Sequence, residues 1–253
     1  MKKAGAVLIV IATLFIVVQR ANAGQIIHAQ SDSLKLSTVL QSHMVVQQNK
    51  PFKIWGTAAP DAKVTIKPDW MKSAIHIEAD AQGRFMGIVD VPVAKKGDYG
   101  THEILVSSNR QQILLNDLLI GDLWFLSGQS NMQFAVHEMI DSTAIIAAAN
   151  NPHIRLLNVA LNFSKEPVNY IKGKWKQCSS ANVRDFSAVG YSFGARLQRE
   201  LDIPIGLIFS GIGASGVQAY VPKEVLANDS LLNRVYLEPY LKDPKSEKPV
   251  NAG

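Results

Sequence analysis

Short runs that alternate apolar and polar residues follow one another along the first half of the chain, after a hydrophobic N-terminus. The runs are rich in β-branched side chains and recur about every 10–12 residues, with polar turns between them, as strands of an all-β domain do. The clearest are Phe52–Gly56, Lys63–Lys67, Ala74–Glu78, Phe85–Val93 and His102–Ser107. This pattern predicts a small β-sandwich domain over residues 24–117.

A different pattern begins at residue 118. Leu118–Leu126 is almost continuously apolar, as expected of a strand buried on both faces of a parallel sheet. Apolar strand-like runs and helical stretches then alternate: a helix near 141–149, a strand at 154–159, a helix at 186–201, a strand at 204–209 and a helix that begins at Pro222. Such alternation is typical of α/β proteins, so residues 118–253 are predicted to form a parallel-sheet domain.

The predicted helix over 186–201 carries its large apolar residues at helical spacing. They are Phe186, Val189, Phe193, Leu197 and Leu201. Apolar residues at this spacing form one face of an amphipathic helix. Two glycines, Gly190 and Gly194, would permit the helix to approach the sheet closely.

Residues 1–23 have the features of a signal peptide. Lys2 and Lys3 precede a 15-residue apolar run, Ala4–Val18, and Ala21-Asn22-Ala23 offers a cleavage site before Gly24. The alternative is a membrane anchor, which needs roughly 20 apolar residues. The sequence therefore predicts cleavage, a periplasmic or secreted product, and no stable membrane anchor afterwards.

The net charge and the cysteine content limit the partners and the kinds of site that the protein can have. The formal net charge is +5, but removal of residues 1–23 would lower it to +2. Nucleic-acid-binding proteins carry a strongly basic surface, so this charge argues against nucleic acid as a partner. The single cysteine, Cys178, excludes an internal disulfide and a metal site built from cysteine pairs.

The segment with most chemical information follows the apolar run that begins at residue 118. Ser130 comes just after the predicted buried strand and is preceded by Gly128-Gln129. A serine on a tight strand-to-helix turn can be exposed as a nucleophile, with backbone N–H groups facing a developing oxyanion. By pattern alone, a turn or helix-capping serine remains the alternative interpretation.

Three stretches together resemble the sialate O-acetylesterases, a group of SGNH-type carbohydrate esterases. Gly128-Gln129-Ser130-Asn131-Met132, with Ile120-Gly121-Asp122-x-Trp124 upstream, is similar to the first block of that family. Ile203–Ile208 followed by Ser210–Ser215 is similar to the second block. Met44–Gln48 and Trp55–Ala58 are similar to its N-terminal β region.

The resemblance implies a catalytic arrangement. Ser130 would be the nucleophile, and the backbone N–H groups of Ser130 and Gly213 would belong to the oxyanion hole. Gln129 and Asn131 are placed among the substrate-binding residues. The implied reaction is two-step acyl transfer from an acetylated sugar to the serine and then to water, with no metal or other cofactor.

Several departures from the family pattern bear on activity. The family's general base lies in an Asp-x-x-His block that this sequence lacks, and its six histidines all precede the second block: His28, His43, His76, His102, His137 and His153. His137 is expected to be a surface histidine. The second block has Ile212 for a tryptophan and Ala214 for a glycine, whose added methyl restricts the backbone. We therefore expect the N-terminal portion of an esterase, with an α/β domain that is incomplete at its C-terminus and a catalytic set that is incomplete as given.

The sequence thus predicts a carbohydrate esterase that removes O-acetyl groups from sialic acid. A deacetylase of another acetylated glycan, such as a plant cell-wall polysaccharide, is the alternative within enzymes. A non-catalytic carbohydrate-binding remnant is the alternative outside them.

Overall fold

The computed structural model describes residues 33–162 and 168–243. The strands are β1 Lys35–Leu36, β2 Val45–Gln47, β3 Pro51–Thr57, β4 Lys63–Pro68, β5 Ile75–Glu78, β6 Arg84–Asp90, β7 His102–Ser108, β8 Gln111–Leu126, β9 Asn151–Asn158, β10 Trp175–Cys178 and β11 Ile205–Phe209. The helices are α1 Ser130–Gln133, α2 Ser142–Ala148, α3 Ser180–Val183, α4 Ala188–Leu201, α5 Lys223–Asn228, α6 Ser230–Leu232 and α7 Glu238–Lys242.

Two sheets contain these strands. The smaller one is antiparallel, in the order β1-β3-β6. The larger one has eight strands: β10-β9-β11-β8-β7-β4-β5 in order, with β2 added alongside β8. Only β9, β11, β8 and β2 run parallel, whereas β10, β7 and β4 pair antiparallel with their neighbours. The chain is a mixed α/β protein: the parallel sheet predicted for residues 118–253 is present in β8, β11 and β9, but β10 at its edge is antiparallel.

The two sheets share one hydrophobic core. Ile54 and Val89 from the small sheet and Ile66, Ile104 and Val106 from the large sheet are all fully buried in the same cluster. Alternation along β4 and β6 places every second side chain in this core, as the sequence pattern predicts. A second core cluster lies between α4 and the parallel strands and includes Leu126, Phe186, Ile205 and Leu207.

One long strand belongs to both parts of the large sheet. β8 pairs with β7 over its first half and with β11 from Asp122 to Leu126. The predicted domain boundary at 117/118 falls inside this strand, where Asp117 takes a left-handed backbone conformation (φ 52°). Aspartate tolerates that conformation better than most residues. The division of the chain at this position stays a prediction.

A buried arginine, Arg155, binds Asp117, the residue of β8 that has the left-handed backbone conformation. Arg155 on β9 is 2% exposed, and its guanidinium donates to both carboxylate oxygens of Asp117 at 2.7 and 2.9 Å. It also donates to the carbonyl oxygens of His43 and Pro152. The Arg155 guanidinium holds the pKa of the Asp117 carboxyl far below its usual range, mainly through these hydrogen bonds.

The C-terminal half of β8 departs from its predicted burial. Leu118 and Leu119 are buried, but Trp124 is 40% and Phe125 65% exposed. On one side β11 covers residues 122–126, whereas β2 covers the other side only as far as Gly121. Within the described residues, no strand continues that second side. Trp124 and Phe125 are consecutive in the strand, so their side chains point to opposite faces of the sheet, and both faces are partly open to solvent here.

The helix α4 packs closely on the sheet at two glycines. Gly190 and Gly194 are buried, and a Cβ on either would come within 2.5 Å of Leu126 or Leu207 side-chain carbons. Val189 is half exposed, whereas the Phe193 ring, 37% exposed, contacts the ring of Trp124 on β8 edge to face, with the ring centroids 4.9 Å apart. The close approach at Gly190 and Gly194 was predicted, and of the large apolar residues at helical spacing Phe186, Leu197 and Leu201 pack in or against the second core cluster.

The predicted signal peptide, residues 1–23, lies outside the described residues, as does most of the C-terminal tail. Across 33–162 and 168–243, no helix has the length and hydropathy needed to cross a membrane.

Candidate active site

The turn that carries Ser130 lies where β8 ends, next to the end of β11. Gly128 has φ 142°, a backbone conformation that side-chain-bearing residues rarely adopt, so glycine is required here. The segment after β11 runs against this turn: the Ser210 and Ile212 N–H groups donate to the carbonyl oxygens of Leu126 and Gly128 at 3.0 and 3.1 Å. Gly211 permits this approach, because a Cβ there would lie 2.6 Å from the Gly128 oxygen.

Ser130 is the first residue of α1 and is exposed to solvent. Its Oγ has no hydrogen-bond partner among residues 33–162 and 168–243. Gln129 and Asn131 flank it and are also exposed. The structure thus places the three predicted residues together on an open surface, and their roles in chemistry and substrate binding stay predictions.

Gly213 lies beside Ser130, as the resemblance implies. A Cβ built on Gly213 would be 3.8 and 3.9 Å from the Cα and Cβ atoms of Ser130. The Gly213 N–H donates to Oε1 of Gln133 at 2.6 Å. Gln133 was not singled out from the sequence, although it directly follows the Gly128–Met132 motif and lies three residues after Ser130.

Tyr220 fastens the segment that contains Gly213 to the Ser130 turn. Its hydroxyl donates to the Gly128 carbonyl oxygen at 2.6 Å and lies 2.9 Å from Ser215 Oγ. Ser215 Oγ in turn donates to the Ile212 carbonyl oxygen at 2.7 Å. Nothing in the sequence marked Tyr220, which lies eleven residues after the end of β11 and outside both motifs.

Ala214 occupies a position that favours glycine. Its φ of 60° is in the left-handed region, so the restriction predicted for the methyl group is present. The left-handed conformation costs a residue with a Cβ about 1–2 kcal/mol, part of which is offset by the lower entropy of alanine in the unfolded chain.

We therefore expect Ala214→Gly to raise the free energy of unfolding by about 0.5–1 kcal/mol, measured by urea denaturation. Ala219→Gly is the matched control, since Ala219 is an exposed alanine in the neighbouring helical turn and has a negative φ. The control should lower stability by about 0.5–1 kcal/mol, because glycine has more backbone freedom to lose. Equal destabilisation by both substitutions would contradict the assignment of strain to Ala214.

The histidines of the described residues are engaged away from Ser130. His137 Nδ1 lies 3.1 Å from the Arg184 carbonyl oxygen and 3.2 Å from Asp185 Oδ1, and the side chain is partly exposed. His43 and His102 contact Asp117 and Asp69. Within the described ranges, therefore, no histidine is hydrogen-bonded to Ser130.

Cys178 is no substitute nucleophile. It is buried, and burial raises the pKa of its thiol to about 11, which keeps it protonated at neutral pH. In the described part of the chain, no group of three or more His, Cys, Asp and Glu side chains is arranged to hold a metal ion.

Polar contacts beneath the turn join two of the sequence motifs. Gln47 and Gln48 each donate from Nε2 to Asp122 Oδ1, at 3.2 and 2.9 Å. Gln47 Oε1 accepts the backbone N–H of Leu123, which holds β2 against β8. Gln47, Gln48 and the Gly121-Asp122 motif are therefore parts of one hydrogen-bonded network that supports β8, the strand that precedes Ser130.

Comparison with known proteins relates this arrangement to esterases. The sialate O-acetylesterases of Pongo abelii and Homo sapiens are each 27% identical over 205 residues, and that of Mus musculus is 25% identical over 208. A solved carbohydrate acetylesterase from Xanthomonas citri superposes with a TM-score of 0.71 at 28% identity, covering 77% of this chain. The chain is a distant homologue of the sialate O-acetylesterases.

This sialate O-acetylesterase homologue matches only part of each relative. The aligned region is 74–76% of this chain and spans 38% of the length of the curated relatives, and 44% of the solved Xanthomonas citri chain. No family model matches the sequence.

Proposed function

We propose that this protein removes O-acetyl groups from a sugar, with Ser130 as the nucleophile and O-acetylated sialic acid as the substrate. The observation that carries the proposal is the position of Ser130, exposed on the turn after β8, where a Cβ built on Gly213 of the neighbouring segment would lie only 3.8–3.9 Å from the Ser130 Cα and Cβ atoms. A nucleophile beside a backbone N–H donor is the pairing that acyl transfer needs. The homology to sialate O-acetylesterases supports the choice of reaction and substrate.

In the proposed reaction, Ser130 Oγ attacks the acetyl carbon, and the sugar oxygen leaves with a proton as a hydroxyl group. Water then attacks the acetyl-serine, which releases acetate and restores the serine hydroxyl. Both steps require a base to take a proton from the attacking oxygen. Among the described residues no histidine contacts Ser130, so the free hydroxyl is a weak nucleophile there.

Two other functions remain open to the same experiment. The Xanthomonas citri relative is described as a carbohydrate acetylesterase without a named sugar, which supports a second acetylated glycan as the substrate. The lack of a base on Ser130 within the described residues favours a carbohydrate-binding protein that does not catalyse.

The test is acetate release from O-acetylated sialic acid and from acetylated xylan, with and without added imidazole. Imidazole supplies an external base with a pKa near neutrality, so it should raise acetate release by the wild-type protein above the rate with imidazole alone. Ser130→Ala should remove that increase completely. Ser192→Ala should retain it, because Ser192 is an exposed serine on α4 outside the candidate site.

The possible results of this experiment distinguish the three candidate functions. Release from xylan alone would identify the other glycan as substrate. Saturable binding of either sugar without any Ser130-dependent release would support the binding protein. Absence of both binding and release would contradict all three functions.

A further inference from the structure

The N–H group that the proposed esterase would offer to an acyl oxygen is already bonded within the protein. Gly213 N–H donates to Oε1 of Gln133, and the 2.6 Å distance makes this a short contact for an N–H···O hydrogen bond. The acceptor is a carbonyl oxygen of an amide, the same kind of atom as the carbonyl oxygen of an acetyl ester.

The Gln133 oxygen also lies on the side of Gly213 that faces Ser130. A Cβ built on Gly213 would be 3.0 Å from this oxygen and 3.8 Å from the Ser130 Cα. The amide oxygen therefore holds the Gly213 N–H, on the same side as Ser130, that the proposed function assigns to an acyl oxygen.

A single N–H hydrogen cannot serve two acceptors at full strength. Hydrogen bonds weaken steeply as the donor angle falls, so a second oxygen would have to share a poorly aligned hydrogen. Gly213 can stabilise an acyl oxygen fully only after the Gln133 side chain has left.

The surroundings allow Gln133 to leave without moving Gly213. Gln133 is exposed, and its side-chain NH₂ has no partner in the described residues. The segment that contains Gly213 is held independently, by the Ile212 N–H to Gly128 and by the Tyr220 hydroxyl to the same carbonyl oxygen. The backbone of α1 is fixed by the Gln133 N–H to the Gln129 carbonyl oxygen, so only the side chain has to rotate.

We propose that Gln133 is a self-capping residue: its amide oxygen occupies the acyl-oxygen position at Gly213 in the resting protein, and an acetyl or acetate group must displace it to bind. This inference rests on the proposed function for the identity of the ligand. It assigns to Gln133 the role of lowering the affinity of the site for short acyl groups.

The test is an NMR titration of the full chain with sodium acetate, following the Gly213 amide. Gln133→Ala should move the Gly213 amide proton upfield in the free protein, since its acceptor is lost, and should lower the acetate Kd about 2- to 10-fold, the worth of one net hydrogen bond. Gln133→Glu keeps an acceptor and adds a negative charge, so acetate should bind more weakly than to the wild type. Gln112→Ala, an exposed glutamine on β8, should leave both the Gly213 shift and the acetate Kd unchanged.

Two results would overturn the inference: an unchanged Gly213 shift in Gln133→Ala, or an acetate Kd that is equal to or higher than that of the wild type, including no detectable binding in the variant. Ser130-dependent acetate release together with either result would leave the proposed function standing and remove only the role of Gln133. Tighter acetate binding in Gln133→Ala without any Ser130-dependent acetate release would support the role of Gln133 and contradict the proposed esterase function.

Discussion

Asp117→Asn is expected to lower the free energy of unfolding by about 2–4 kcal/mol, somewhat less than the cost of removing one partner of a fully buried ion pair, because the Asp117 side chain is 24% exposed. The carboxylate accepts two hydrogen bonds from the Arg155 guanidinium, which is 2% exposed. Asparagine offers one oxygen and turns an NH₂ group toward the second guanidinium nitrogen. The positive charge of Arg155 then stays buried without a counter-charge.

Asparagine is the sharper substitution because it isolates the charge. Asp117 has a positive φ, and asparagine tolerates this conformation as well as aspartate does, whereas alanine would add backbone strain. Glu200→Gln is the matched control, since it breaks the exposed Arg196–Glu200 pair on α4 and should cost only about 0.3–0.5 kcal/mol. Urea denaturation measures both, and a loss below about 1 kcal/mol for Asp117→Asn would contradict the importance of the pair.

The pH dependence of stability gives a second measurement of the same pair. The folded-state pKa of Asp117 is lowered, chiefly by its hydrogen bonds with Arg155, so the stabilisation is present above the unfolded carboxyl pKa of about 3.9. It is lost as the pH falls below that value toward the folded pKa. The wild type should lose stability more steeply than Asp117→Asn on acidification from about pH 5, and parallel curves would count against the prediction.

Gly121→Ala is expected to destabilise the protein by about 3 kcal/mol or more, at or beyond the upper end for an overpacked core. A Cβ on Gly121 would lie 2.0 Å from the Pro204 carbonyl oxygen and 2.7 Å from its carbon. Both atoms belong to backbone, and the same oxygen accepts the Asp122 N–H at 3.0 Å. The methyl group can fit only if β8 and the start of β11 separate.

Gly100→Ala provides the comparison for this substitution. A Cβ on Gly100 meets only the Asp98 side chain, at 3.3 Å, in an exposed loop, so the change in stability should stay within about 0.5 kcal/mol. Thermal unfolding of the two variants beside the wild type measures the difference. A Gly121→Ala protein that unfolds at the wild-type midpoint would show that the two strands do not depend on this close approach.

Much of the fold could be predicted because its signals are local. The alternation along β4 and β6, the apolar runs of β9 and β11, and the helical spacing of apolar residues in α4 all correspond to elements close to their predicted bounds. Apolar periodicity alone does not mark the close approach of α4 to the sheet at Gly190, because that approach depends on the absence of a side chain; the glycine itself was the signal. The sequence also did not predict that β8 continues without a break through residues 116 and 117, because Asn and Asp are residues typical of turns.

The contacts of the candidate site also differ in whether the sequence could predict them. Ser130 and Gly213 follow parallel neighbouring strands, and the resemblance to the esterase family implied that they would lie close together. The contacts of Gln133 and Tyr220 join residues 80 and 92 positions apart in sequence. No periodicity or spacing marks such pairs, and only the folded backbone brings them together.

The sixteen residues of β8 also constrain how the protein can evolve. At about 3.3 Å per residue, this strand runs for on the order of 50 Å through both halves of the large sheet. It supplies the pairing edge for β7 in one half and for β11 in the other. Recombination could exchange the two halves of the large sheet as separate modules, with a cut near residue 117. Each recombinant protein would then keep only half of the backbone hydrogen bonds that β8 makes with its neighbouring strands. Genetic exchange should therefore tolerate junctions in the surface loops and reject them within this strand.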